Sequence, residues 1–190
     1  MNLVSQAIDS AASRLANPAR EPDPDKLRES VSGRTVLVTG ASYGIGEATA
    51  RKLAAAGATV LMVARSAERL EDVAAAINTG GGQAVVYPTD LSDEAAVSVL
   101  TKQINENHGP LDIIVSNAGK SLRRSLHEQY DRPHDFQRTI DVNYLGPIWL
   151  LLGLLPAMRE NARGAAATDR STVATLGRAD RQTPESPSPG

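Results

Sequence analysis

The sequence predicts a doubly wound α/β fold, a parallel β-sheet covered by helices on both faces. Two observations carry this expectation. Four short runs, at residues 35–38, 59–63, 84–87 and 113–115, are apolar or β-branched throughout and alternate with amphipathic helical patterns. Strands buried on both faces lose the in-and-out alternation of a half-solvated sheet, so continuous apolar runs between helices point to a parallel sheet. The second observation is a glycine-rich turn joining the first run to the first helical pattern, at residues 39–46. With 190 residues, the chain matches the ordinary size of one domain, about 100–200 residues.

The elements follow in order. Leu3, Val4, Ala7, Ile8, Ala11 and Leu15 fall at helical spacing, which predicts a short amphipathic helix whose role is docking. Asn17-Pro18 and the run Glu21-Pro22-Asp23-Pro24-Asp25 then read as a linker, since proline opposes helix and charge favours solvent. Residues 1–32 are thus assigned to an N-terminal helix and Pro-rich linker, and 33–160 to the domain proper. After the first strand, Ile45, Ala48, Leu53 and Ala56 line one helix face up to Gly57. After the second, Ser66 stands in a capping position ahead of Leu70, Val73, Ala74 and Ile77, at i, i+3, i+4 and i+7, and Gly80 to Gly82 close the helix. After the third, Ser92 is expected to cap a helix carrying Val97, Leu100 and Ile104 and ending near Gly109-Pro110. The fourth strand leads to a long helix from about His134 past Asn143 towards Met158, with a bend at Gly146-Pro147.

Beyond Asn161 the pattern stops. Residues 164–190 hold only Val173 and Leu176 as large apolar side chains, with Pro184, Pro187 and Pro189 near the end, so 161–190 reads as disordered. The sheet is accordingly expected to be incomplete after its fourth strand, with that strand's edge open and the apolar stretch 148–155 uncovered.

Composition removes several function classes. Twenty Lys and Arg against 22 Asp and Glu give a net charge of −2, so no general positive field exists to hold a nucleic acid backbone. Aromatic residues make up 3%, with one Trp and one Phe, too few for base-stacking platforms. The absence of Cys removes disulfides, thiolate metal sites and cysteine nucleophiles, and it fits a reducing, cytoplasmic setting. Asp9 interrupts what would be the apolar core of a leader segment. The stretch 148–155, followed by Pro156, is far short of the roughly 20 residues a membrane-spanning helix needs, and it is expected to be a buried helix rather than a span.

The chemistry concentrates in Thr39-Gly40-Ala41-Ser42-Tyr43-Gly44-Ile45-Gly46. Unpaired backbone N–H groups and the helix dipole make a helix start attractive to a pyrophosphate when no side chain blocks it. Gly40 would permit the tight turn, Gly44 the approach of phosphate and Gly46 close helix-on-strand packing. The plain alternative is a tight turn that needs glycine only for its backbone angles. Gly119-Lys120-Ser121 lacks the earlier glycine of a phosphate-binding P-loop, since position 114 is Ile114. His127 and His134 are too far apart in sequence for compact metal ligation, and no metal site is expected. Arg123-Arg124 can be read either as a surface pair or as a hold on an anionic substrate tail.

On these residues the chain resembles the short-chain dehydrogenase/reductase family, whose T-G-x-x-x-G-x-G fingerprint is matched by residues 39–46. Asp90, in Thr89-Asp90-Leu91-Ser92, matches the family's adenine-pocket acid. Ser116-Asn117-Ala118-Gly119 matches its N-N-A-G element, with Ser116 replacing the first Asn. Asn143, in Asp141-Val142-Asn143-Tyr144-Leu145-Gly146, matches the Asn of the catalytic tetrad. The resemblance covers about residues 30–160 and implies a Rossmann-like fold. It also implies cofactor contacts at Gly40, Ser42, Tyr43, Gly44, Ile45, Gly46, Asp90, Leu91, Asn117, Ala118 and Gly119, with Asn143 supporting the proton relay. The implied reaction is hydride transfer between a nicotinamide cofactor and a small-molecule carbonyl or alcohol. Residues 119–125 look like members that reduce fatty acyl-derived substrates, and the long helix is a candidate homo-oligomer surface.

Charge at the end of the second strand selects the cofactor. Ala64, Arg65 and Ser66 offer no carboxylate to a ribose hydroxyl, whereas Arg65 can pair with a 2′-phosphate, so NADP(H) is expected. The alternative for Arg65 is a solvated helix-start side chain.

The family's proton donor does not appear. The four tyrosines, Tyr43, Tyr87, Tyr130 and Tyr144, are followed four positions on by Glu47, Leu91, His134 and Ile148, so no Y-x-x-x-K occurs. Ser171 falls roughly where the family serine would, but Asp169, Arg170 and Thr172 around it do not read as a buried strand. The shift in character at about Arg163 resembles a truncation or a change of reading frame. The chain thus reads as an oxidoreductase lineage whose own turnover is in doubt, with a non-catalytic nucleotide-binding or dimerising fragment as the rival reading.

Overall fold

The computed structural model describes residues 23–121, 125, 127 and 130–161, and the backbone of 165–168. Helix α1 (Pro24–Val31) leads into β1 (Thr35–Thr39), α2 (Gly44–Ala55), β2 (Thr59–Ala64), α3 (Ala67–Thr79), β3 (Gln83–Pro88), α4 (Glu94–His108) and β4 (Ile113–Ser116). Then come α5 (Pro133–Ile140), a π-helical turn (Asp141–Leu145), α6 (Gly146–Glu160) and β5 (Ala165–Thr168). The strands form one parallel sheet in the order β3-β2-β1-β4-β5.

The expected doubly wound architecture is the one observed. Alternate residues of each central strand serve opposite faces, as the two-residue period of a strand requires. Val36, Val38, Val60 and Met62 join Leu53 of α2 and Leu70, Val73 and Ile77 of α3 in one core. Leu37, Leu61 and Val63 join Val97, Leu100 and Ile104 of α4 and Leu150, Leu154 and Met158 of α6 in the other. The continuous apolar runs in the sequence are thus the record of two cores sharing one sheet.

Strand order positions the site. From β1 the chain winds outward to β2 and β3, then returns past β1 to place β4 on its other side, with Val36 opposite Ile113 and Val38 opposite Val115. The helices that follow β1 and β4 therefore pack on opposite faces of the sheet, α2 in one core and α6 in the other, and a crevice opens at the carboxyl ends of these strands, the usual ligand position in such sheets.

Four expectations are corrected. The sheet does not end at β4, because Ala165–Thr168 runs parallel beside it with Ile113 opposite Ala165 and Ser116 opposite Thr168. Three alanines and a threonine carry no apolar signature, yet a ladder is made by backbone groups, and an open edge pairs with whatever chain runs alongside. The linker before Gly33 is instead helical from Pro24. Proline at the first helical position lacks only an N–H that would be unpaired there anyway, and the Asp23 carboxylate accepts from the Asp25 N–H at 3.1 Å. This helix brings Val31, 4% exposed, into the core. Asp93, not Ser92, caps α4, accepting from the N–H groups of Ala95 at 2.9 Å and Ala96 at 3.1 Å. Finally, α5, the π turn and α6 form a continuous 28-residue helical run, Pro133–Glu160, apolar and long enough to cross a membrane by length and composition. The stretch 148–155 understated that length. In this fold the run lays Leu150, Leu154 and Met158 in the core beside α4.

The expected helix over residues 3–15, Arg123-Arg124, Ser171 and the remainder of the 161–190 segment lie outside the described residues.

Candidate functional site

The loops after β1 and β4 interlock through glycine. Gly40 holds φ at +67°, and a β-carbon there would lie 2.9 Å from Asn117 Nδ2 and 3.0 Å from Ala118 Cα. A β-carbon on Gly46 would overlap the Gly40 carbonyl oxygen and stand 2.5 Å from Asn117 Nδ2. These two glycines thus serve close packing of the turn on the neighbouring loop. Gly44 differs, since it holds φ at +59° but has open space where its side chain would be. It begins α2, whose N-cap Tyr43 makes no side-chain cap hydrogen bond. The first-turn N–H groups and the positive end of the helix dipole therefore face an uncluttered space, the arrangement that receives an anionic group.

Thr39, which sequence reasoning treated only as the first letter of the glycine motif, is the pin of this interlock. It is fully buried, and its Oγ1 accepts from the N–H groups of Asn117 at 3.0 Å and Ala118 at 2.9 Å. Asn117 Nδ2 donates in return to the Thr39 carbonyl at 3.0 Å. A hydroxyl residue closing an otherwise apolar strand was the available signal. Thr39→Val keeps the shape but leaves two N–H groups without their acceptor, and thermal unfolding is expected to show a loss of about 1–2 kcal/mol.

A cavity of about 700 Å³ opens over the switch point, lined by Gly40, Ser42, Tyr43, Arg65, Asp90, Leu91, Asn117, Ala118 and Gly119 among others. Nine of the residues singled out in the sequence meet in this one space, whose size falls within the usual range for ligand sites, about 300–1,000 Å³. Gly44, Ile45 and Gly46 are not in its wall: Gly46 is buried beneath the turn, and Ile45 is 71% exposed. Sequence reasoning missed Ser66, Thr89, Lys120, Arg138 and Val142, which also line it. Ser66 stands at the N-cap of α3 without making a side-chain cap bond.

Asp90 is held as a carboxylate. Burial pushes its pKa up, but the Ser92 N–H at 3.0 Å and hydroxyl at 2.7 Å, with the charges of Arg65 and Arg138, outweigh that and keep it below the ordinary value.

Asn143 acts on the backbone. Its Oδ1 accepts from the Lys120 N–H and its Nδ2 donates to the Lys120 carbonyl, both at 2.7 Å. It thereby fixes the chain leaving β4. The π turn that carries it follows from the next residues: Pro147 has no N–H for the Asn143 carbonyl, and the Gly146 N–H reaches the Asp141 carbonyl instead. Any side chain at Gly146 would overlap the Leu91 carbonyl oxygen. The helix therefore lies directly against the loop that carries Asp90.

The family model described as short chain dehydrogenase matches residues 34–181, a span that runs past residue 160, where the motif resemblance ends. A fatty acyl-CoA reductase of Acinetobacter baylyi is 47% identical over 155 residues, covering 82% of this chain and 52% of that protein. An uncharacterized oxidoreductase of Mycobacterium tuberculosis is 51% identical over 141 residues, 73% of this chain and 41% of its own length. The chain spans about half the length of these relatives. Among solved structures, a metagenomic short-chain oxidoreductase in complex with NADP superposes with a TM-score of 0.69 at 38% identity, covering 73% of this chain and 62% of that one. L-sorbose reductase from Gluconobacter frateurii, complexed with NADPH and L-sorbose, gives a TM-score of 0.67 at 29% identity, covering 73% and 52%. With its parallel sheet, its glycine turn and these matches, the chain belongs to the short-chain dehydrogenase family of oxidoreductases.

Proposed function

We propose that this chain forms the NADP(H)-binding part of an oxidoreductase that moves a hydride to or from a carbonyl or hydroxyl carbon. The observation that carries the reading is the joint opening of two features on one cavity. One is the turn before the uncapped start of α2, and the other is the end of β2, where Arg65 and Ser66 stand in the wall without an acidic neighbour in sequence. The residues fit the group: the first-turn N–H groups would receive the pyrophosphate, Arg65 and Ser66 the 2′-phosphate, and Asp90 with Asn117 would border the adenine. When bound, the nicotinamide supplies the hydride. Asn143 would hold Lys120 and the loop after β4 in place beside the reacting groups. The NADP and NADPH complexes of the structural neighbours support this cofactor.

The substrate class we propose is a fatty acyl-derived carbonyl. It is supported by the name of the Acinetobacter relative and by the motif likeness of residues 119–125. A cytoplasmic location belongs to the same reading. None of the four tyrosines has a lysine four residues later, so these 190 residues are expected to bind the cofactor without appreciable turnover. A second reading, assembly with another copy, draws on Ile140, Tyr144, Ile148 and Leu152, which recur every fourth residue along the helical run and are 50%, 64%, 39% and 69% exposed.

Calorimetric titration with NADPH and NADH, followed by NADPH consumption with a long-chain aldehyde, tests the proposal. Saturable binding that favours NADPH, with no aldehyde-dependent consumption, is the expected result. Equal affinity for both dinucleotides overturns the assignment of Arg65, and the absence of binding overturns the reading as a whole.

A further inference from the structure

A groove of about 340 Å³ lies between α1 and the end of α2, and none of its residues lines the larger cavity over the switch point. Pro24, Leu27, Ala55 and Ala56 supply its apolar surface, and Asp25, Arg28 and Lys52 its charged groups. Contacts outside the groove fix the two helices relative to each other. Val31, at the end of α1, is buried in the core, and the Gly33 N–H donates to the Gly57 carbonyl, just past α2, at 2.9 Å. Leu27 packs against that core from the groove side and remains half-buried, while Ala55 is exposed. The apolar surface is therefore preformed and open.

One segment of the same chain matches this surface in pattern and in reach. Leu3, Val4, Ala7, Ile8, Ala11 and Leu15, outside the described residues, share one face at helical spacing. Ala7 and Ala11 stand one turn apart on that face, and small side chains let one helix approach another closely, as Ala55 and Ala56 also do from the groove. Asp9 falls on the opposite face and Arg14 at the border, where a long side chain keeps its charge in water, so docking by the apolar face buries no charge of the segment. The chain that follows the segment arrives at the groove itself, since Pro24 is one of its residues. From Leu15 to Pro24 it can span about 30 Å, against about 20 Å for a helix over residues 3–15. Pro18 and Pro22 oppose continuation of that helix and provide the place to fold back. A tether of this length holds the segment at an effective concentration of about millimolar, an advantage that a second copy does not have.

We propose that residues 3–15 form an amphipathic helix that docks by its apolar face in the groove between α1 and α2 of the same chain. The N-terminal region is then a strap across the outer surface of the domain, covering Leu27 and Ala55, and α1 is held from both sides. The proposal is independent of the cofactor reading, because the groove and the larger cavity share no residue.

The chain has no Cys, so disulfide mapping on the full chain has no native background. Ala11→Cys is paired with Ala55→Cys, and Asp9→Cys with Ala55→Cys serves as a control on nearly the same tether but the opposite face. Under mild oxidation at low protein concentration, the first pair is expected to close within the monomer at least about tenfold faster than the control, because a disulfide forms only where the two backbones come within about 7 Å. Non-reducing electrophoresis and peptide mass mapping read the product. Ala7→Cys with Arg28→Cys repeats the measurement on the α1 wall, in case Ala55→Cys disturbs α2, and circular dichroism reports whether each variant folds. Adding Ile8→Asp, which places a charge on the docking face, should abolish the advantage of either apolar-face pair. Equal rates from the two faces would mean a tether that does not dock and overturn the proposal. Disulfides that form only between chains would assign the groove to a second copy and overturn it as well, as would failure of both apolar-face pairs to close.

Discussion

Gly46→Ala is expected to lower the melting temperature by roughly 5–10 °C and to weaken NADPH binding at least about tenfold. The added methyl would overlap the Gly40 carbonyl oxygen and press on Asn117 Nδ2. Both belong to the interlock of the loops after β1 and β4, so neither can yield without moving the turn. Overpacking of this kind costs about 1–3 kcal/mol, and in a chain of this length each kcal/mol is worth about 2–4 °C. Binding falls as well because the turn sets the direction of the first N–H groups of α2. Gly44→Ala is the matched control: its site is spatially open, and only its φ of +59° disfavours a side chain, at about 1–2 kcal/mol. It should lose NADPH affinity comparably with a smaller change in melting temperature, since its methyl would stand where the phosphate approaches. Thermal unfolding by circular dichroism together with calorimetric titration checks both variants. If Gly46→Ala melts like the wild type, the interlock is not what holds the turn.

Arg65→Ala is expected to raise the NADPH dissociation constant about 10- to 100-fold while changing that for NADH less than about two-fold. A hydrogen bond to a charged group contributes about 1.5–3 kcal/mol, which converts to that range. Arg65 lies on the exposed rim of the cavity, so folding stability should remain within about 0.5 kcal/mol of the wild type. This separates loss of a ligand contact from loss of structure. The NADPH advantage of the wild type should also shrink as salt rises to 1 M, because the Debye length falls to about 3 Å. Parallel loss of both dinucleotides in Arg65→Ala would instead mark Arg65 as a general contributor to the site rather than a reader of the phosphate.

Much of the site was legible because its signals are local. A β-strand, a turn and a helix start are consecutive in the chain, so the residues from Thr39 to Gly46 announce an anion site before any folding is considered. Asp90 and Asn117 were legible for the same reason, each following directly on an apolar run. Arg138 was not, since on its own helix nothing in the local pattern marks it, and only the fold places it in the wall of the cavity. Thr39 was visible as a letter but not as a function, because its hydrogen bonds reach 78 and 79 residues along the chain. Helix α1 was misread because the proline that opposes a helix interior is acceptable at its first turn. Strand β5 was overlooked because its pairing uses backbone groups and needs no distinctive side chains.

The amino-acid sequence by itself determined the parallel α/β class, the glycine turn, the charge at the end of β2 and the lack of a tyrosine–lysine pair. Each of these depends on periodicity, conformational freedom or charge within a few neighbouring residues. Only the tertiary structure decided that β5 closes the edge of β4, that Asn117 packs against Gly40 and Gly46, and that Arg65, Asp90, Lys120 and Arg138 share one wall. Those relations depend on distances between segments far apart in the chain, and such distances exist only once burial of the two cores has fixed the order of the strands.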